Sequence, residues 1–201
     1  MSNKKSSKLS TQYLARIAIM AAASAVLFLI LEIPIFGSVY KLDFSAVPVM
    51  LVSFAMGPIP GIITLFLKDL IHLIFKGLST TVGIGNLADF IMGTAFLLPA
   101  ALIYAKNKSR KNALIGMAVG TVTMALVALL VNGFILFPFY MKAFHMDISQ
   151  ISSMMGLSSD SMIRLLLTAT LPFNILKGVI ISLITYLIYK PLSPILHVKE
   201  K

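Results

Sequence analysis

The chain contains no cysteine, and only 7 of its 201 residues are acidic. Without cysteine there is no disulfide framework, no thiolate zinc site and no thiol nucleophile. The three histidines, His72, His145 and His197, are scattered without HExxH or other metal spacing, and no G-x-S-x-G turn occurs. A G-x-x-x-x-G-K-[ST] phosphate loop is missing too, so the chain cannot use ATP by that route. Charge of any kind is scarce, at 12% of residues, against 58% apolar residues and a mean hydropathy of +0.95. That is far more apolar surface than a soluble domain of this size needs for its core, and it identifies an integral membrane protein.

The net charge of +10 is carried in short basic clusters that flank apolar runs. Membrane topology and anionic lipid account for such clusters; nucleic acid does not. The segment "VPVMLVSFAMGPIPGIITLFL" is the one ambiguity in counting spans, since it reads as one helix or as two joined at "GPIPG". One helix gives five spans and divides the Lys and Arg residues outside the membrane 8 against 8. Two helices give six spans, residues 13–33, 46–57, 61–76, 86–105, 112–138 and 162–189. One side then holds 11 basic residues (Lys4, Lys5, Lys8, Arg16, Lys106, Lys108, Arg110, Lys111, Lys190, Lys199, Lys201) and the other holds 4 (Lys41, Lys76, Lys142, Arg164). The positive-inside rule selects an all-α protein of six transmembrane helices with both termini cytoplasmic. Residues 1–12 form a basic tail, 13–190 the membrane domain and 191–201 a second tail. The second span, twelve residues or about 18 Å of helix, is short for a bilayer of about 30 Å. It needs cover from its neighbours, and the preceding "GSVYKLDFSA" is expected to be a structured outer loop.

Few polar residues lie inside this frame. In "LTATLPFNILKGVIISLITYLIYK", Thr170, Asn174 and Lys177 are spaced i, i+4, i+7 and share one helix face. A lysine at membrane depth is a functional suspect. Asn86, Asp89 and Phe90 share a face of the fourth span, and Asn132 sits near the outer end of the fifth. Lys68, Asp69 and His72 are spaced for a local ion pair, Glu32 lies at a helix end, and Pro172 is expected to kink the last span, with hydroxyls satisfying the carbonyl it frees near Thr168. A stripe of small residues, Ala15, Ala18, Ala22 and Ala25, allows close helix approach on the first span, and "GMAVG" at 116–120 offers a similar surface on the fifth.

Taken together, "YKLDFSAVP", "GPIPGIITLFLKDLIH", "VNGFILFP" and "PFNILKG" resemble the riboflavin-specific substrate-binding subunit, or S component, of energy-coupling factor (ECF) transporters. The likeness runs from about residue 13 to 190 and departs at Ala46, where the family often has an acid, and at Asp69, where it often has Asn. It implies an S component that takes up riboflavin from outside, with the outer loop as a lid. It implies as partners a transmembrane coupling subunit, docking on Ala18, Ala22 and Ala25, and two cytoplasmic ATPases. The ligand-binding residues it implies are Tyr40, Lys41, Leu42, Asp43, Phe44, Asn86, Phe90, Asn132, Phe173, Asn174 and Lys177. The chemistry suits a flavin: Phe44, Phe90 and Phe173 as ring walls, Asn132, Asn174 and Lys177 as polar points. Riboflavin would be cargo, with no resident cofactor. FMN also fits if Lys41 or Lys76 lies at the mouth. The alternatives are an S component for a different vitamin and a small intramembrane hydrolase using Asp69 and His72.

Overall fold

A computed structural model describes residues 10–77 and 83–196 of the chain. Most of the two tails, with Lys4, Lys5, Lys8, Lys199 and Lys201, therefore lies outside the described residues. Among the described residues, five helical segments are long and apolar enough to cross a membrane: Thr11–Ile30, Pro58–Lys76, Ile84–Lys106, Arg110–Ala143 and Met162–Tyr189. The element order is α1 (Thr11–Ile30), β1 (Ile33–Phe36), β2 (Tyr40–Leu42), α2 (Ala46–Met56), α3 (Pro58–Lys76), α4 (Ile84–Lys106), α5 (Arg110–Val131), α6 (Phe137–Ala143), α7 (Ile148–Met154), α8 (Met162–Leu165) and α9 (Leu171–Leu196).

The short helix α2 covers 11 residues, about 16 Å. Its sequence is apolar all round, and an element with no polar face must be buried on every side. Val47 to Phe54 are all buried, wrapped by α1, α3, α4 and α9. Gly57, at φ 104°, makes the turn from α2 into α3, where Pro58 occupies the first helical turn and loses no hydrogen bond there. In the next turn, Gly61 leaves room for Ser53 across the α2–α3 hairpin.

Between α1 and α2 the chain forms an antiparallel hairpin, β1 with β2, pairing Ile33 with Leu42 and Pro34 with Lys41. The structured loop is thus present, and it is held from above by α7. Gly37, at φ 53°, lies so close to the Met154 carbonyl that a side chain there would collide with it, and the Ser38 N–H donates to the same carbonyl at 3.2 Å. Nothing in the span count anticipates α7. Its local signal is a capping box, in which the Asp147 carboxylate accepts from the Gln150 N–H while the Gln150 side chain accepts from the Asp147 N–H.

Two π turns interrupt the long helices, Asn132–Leu136 between α5 and α6 and Leu166–Thr170 between α8 and α9. Each ends two residues before a proline, Pro138 and Pro172 respectively. Proline lacks an N–H and its ring crowds the carbonyl four residues back; widening the turn to i, i+5 bonding accommodates both problems. The expected Pro172 kink is therefore taken up by the π turn. The Thr168 hydroxyl donates to the Arg164 carbonyl at 2.8 Å, in the turn before.

"GMAVG" packs inside the molecule. A Cβ on Gly116 would lie 2.7 Å from the Ala100 carbonyl oxygen, and one on Gly120 would meet the Phe96 carbonyl, so α4 and α5 touch backbone to backbone.

Candidate functional site

The polar residues of the spans gather toward the hairpin end in two groups. The first is ionic. Lys177 on α9 pairs with Asp43, in the loop between β2 and α2, at 2.8 Å, and with Asp89 on α4 at 3.4 Å. Asp89 also pairs with Lys68 on α3, which reaches its neighbour Asp69 at 2.8 Å. Lys68 is 1% exposed, and its ammonium lies 4.4 Å from the centre of the Phe28 ring. Asp43 is satisfied twice over, since its second oxygen accepts from the backbone and hydroxyl of Ser45. Two lysines and three aspartates thus tie together four segments that are remote in sequence.

The second group is aromatic and neutral. Tyr40 of β2 stacks on Phe173 of α9 with ring centres 4.9 Å apart. Its hydroxyl donates to Asn132 Oδ1 at 2.8 Å; having a single proton, it must then accept from the Thr170 hydroxyl at 2.6 Å. Burial pushes the Tyr40 phenol above its ordinary pKa, so it remains a hydroxyl. The amide nitrogens of Asn132 and Asn174 donate to the Ala128 and Thr170 carbonyls, each at 2.8 Å and each four residues back. Asn132 and Thr170 belong to the two π turns, so the widened turns aim these side chains at the hairpin. Leu42 is buried with this group beside Phe137 and Leu165.

The other expected site residues separate from these. Lys41 is exposed and pairs with Glu32 at 2.7 Å; Lys76 reaches the same carboxylate at 3.3 Å. Burial opposes ionisation of Glu32, but the two lysines outweigh it and hold the carboxyl below its usual range. Asn86 donates to the Asp69 carbonyl at 2.9 Å and lies 3.0 Å from His72 Nδ1. The His72 ring stacks on Phe28 at 3.8 Å. Phe44 and Phe90 pack against the central core around α2, with Phe90 edge-on to Phe66 at 6.0 Å. On α1, Ala18 and Ala22 are exposed, whereas Ala25 is 1% exposed and faces inward. The outward stripe is Ala15, Ala18 and Ala22; Ala25, seven residues beyond Ala18 and so on nearly the same face, is covered because that end of α1 packs on the segment entering α2, where the Ser24 hydroxyl donates to the Ser45 carbonyl.

A family model for the ECF transporter substrate-specific component matches residues 12–189. The chain belongs to this family. The riboflavin transporter RibU of Staphylococcus aureus (strain TCH60) is 32% identical over 191 residues, covering 92% of this chain and 94% of that protein. The riboflavin transporter FmnP of Bacillus subtilis (strain 168) is 29% identical over 177 residues, covering 87% and 89%. A solved structure described as the S component of a bacterial ECF transporter has a TM-score of 0.71 at 32% identity, over 91% of this chain and 96% of that one. This S component is a transporter subunit and not an enzyme, and the hydrolase alternative falls. Asp69 and His72 do not form a dyad in any case: one is bound to Lys68, the other to Asn86 and Phe28.

Sequence reasoning placed Lys177 and Asn174 on one face but missed Asp89 as a counter-ion. The available signal was charge balance, since a lysine at membrane depth needs an acid, and Asp43 and Asp89 were the acids left once Lys68 had taken Asp69. Taken alone, Lys177→Met removes a buried charge, which on sequence grounds favours folding. The geometry reverses that: the substitution leaves Asp43 unpaired and should cost about 3–5 kcal/mol. Adding Asp43→Leu to Lys177→Met should return most of the loss, measured as thermal stability of the purified protein. A single variant as stable as the parent would rule out a structural pairing of Lys177 with Asp43.

Proposed function

We propose that this S component binds riboflavin at the hairpin end of its helix bundle and passes it across the cell membrane as the substrate-specific subunit of an ECF transporter. The observation that carries the reading is that Tyr40, Asn132, Thr170, Phe173 and Asn174, with Asp43 and Lys177 as a neighbouring ion pair, come from the hairpin and the loop after it, the two π turns and α9 to the hairpin end of the bundle. These are the donors, acceptors and flat apolar faces that a neutral flavin requires, on elements contributed by a loop that covers them. The curated relatives named above are riboflavin transporters over nearly their whole length. Lys41 and Lys76, the residues that could receive a flavin phosphate, are both engaged by Glu32, which favours riboflavin over FMN as the ligand. Phe44, Phe90 and Asn86 support the site from behind, through the core and through Asp69.

The test is titration of the purified, full chain with riboflavin. Quenching of flavin fluorescence at one ligand per chain is expected, and Asn174→Leu should weaken it roughly two- to tenfold, the worth of one hydrogen bond. A protein indifferent to flavin that binds another vitamin would sink the reading.

We further propose that α2 is a sixth, shortened span and that both termini are cytoplasmic. The 11 against 4 division of basic residues supports it, as does the placing of Lys106, Lys108, Arg110 and Lys111 at the α4–α5 turn. The membrane is then the bacterial plasma membrane, with lipid around the helices. In this naturally cysteine-free chain, a cysteine at position 108 should react only from inside and one at 142 from outside; the reverse pattern would discard the six-span topology.

Ala18 and Ala22, with Ala15 beside them, form the exposed small stripe proposed to meet the transmembrane coupling subunit, whose two ATPases supply the nucleotide chemistry that this chain lacks. Ala18→Leu should weaken assembly with that module while riboflavin binding by the isolated protein stays unchanged. Normal assembly would make the stripe a lipid-facing surface only.

A further inference from the structure

At the end of the bundle opposite the hairpin, the structure holds a cavity of about 420 Å3 between the α4–α5 turn, the foot of α2 and the end of α9. Phe54, Tyr104, Tyr186 and Tyr189 form its walls, and Lys108 and Arg110 stand at its rim. Its chemistry is one-sided. No acid lines it, and neither Lys108 nor Arg110 has an ion-pair partner among the described residues. Tyr104 is 6% exposed, and its hydroxyl lies 2.8 Å from that of Tyr189. Two phenols have two protons, and the bond between them uses one. The other has no acceptor among the described residues, so this half-buried pair offers a hydroxyl proton beside the two cations. A site of two cations and several hydroxyls, with no carboxylate among its lining residues, complements an anion.

The surroundings say which anion. Leu187 lines the cavity and is exposed, and Leu183, one helical turn farther into the span, is exposed on the same face of α9. The apolar surface therefore leaves the cavity in the direction of the hydrocarbon layer. A soluble ion or an acidic protein segment has no use for that path, whereas an acyl chain does. We propose that this cavity holds the phosphate headgroup of an anionic phospholipid, with Lys108, Arg110 and the Tyr104–Tyr189 pair at the phosphate and the acyl chains along Leu187 and Leu183. Two basic residues at a bilayer surface give roughly a tenfold or greater preference for an anionic over a zwitterionic lipid.

The experiment is native mass spectrometry of the full chain equilibrated with micelles containing equal phosphatidylglycerol and phosphatidylcholine. The expected result is roughly tenfold more phosphatidylglycerol adduct, falling to near parity in Lys108→Gln/Arg110→Gln. Equal retention of the two lipids by the unaltered protein overturns the proposal, as does a preference that survives the double substitution. Displacement of the lipid by inorganic phosphate would assign the cavity to a free anion and also overturns it. Thermal unfolding reports whether each variant is folded. If the double variant is not, Lys108→Gln alone is read, with an expected fall of about fivefold.

Discussion

A charge at membrane depth cannot stand alone, and the arrangement of this protein follows from that constraint. Lys177 is the only ion-pair partner of Asp43 among the described residues, and it shares Asp89 with Lys68. Through these pairs α9, the last helix, is tied to the loop entering α2, to α4 and to α3. Each group is held in place by the cost of leaving the others uncompensated, so the network fixes orientation more than it adds net stability. Because Asp43 directly follows β2, the same network decides where the hairpin ends. Tyr40, three residues back, is thereby delivered to Asn132, Thr170 and Phe173.

The other half of the arrangement is set by two prolines. Pro138 and Pro172 would disturb any regular helix, and each is preceded by a turn wide enough to absorb it. The widening changes which way the following face points, and it does so on both helices that approach Tyr40. The side chains brought there, Asn132 and Thr170, sit in the widened turns themselves. The irregular backbone lies next to protein partners, where its altered bonding is tolerated.

Much of this was readable in the sequence, and the parts that were not share a cause. Helix limits and the outer loop followed from hydropathy and from turn residues such as Gly57, which are local properties. The common face of Thr170, Asn174 and Lys177 followed from helical spacing and survives the π turn because Thr170 is its last residue. What was not legible needed knowledge of a neighbour. Ala25 has the same spacing signal as Ala18 and Ala22, and only the position of the bundle tells inward from outward. Phe44 and Phe90 are aromatic like Phe173, yet they face the core around α2, a packing choice that no periodicity records. The partners of Lys177 lie 134 and 88 positions away, and spacing rules do not reach that far. The helix α7 is marked locally by its capping box, but at seven residues it gives no span-length apolar signal.

The enclosure of α2 has a consequence for how the protein is made. Helices enter the membrane in the order of synthesis, but α2, at 11 residues, cannot be anchored by its own length, and it turns at Gly57 straight into α3. On the proposed six-span topology the two are inserted together, as a hairpin. Once inside, α2 has α1, α3 and α4 as walls, while the side that faces α9 stays open until the ribosome has nearly finished the chain. Asp43, at the head of α2, waits equally long for Lys177. The centre of the molecule is completed last, and a chain cut short before α9 would leave its most apolar helix uncovered and its most buried acid without a counter-ion.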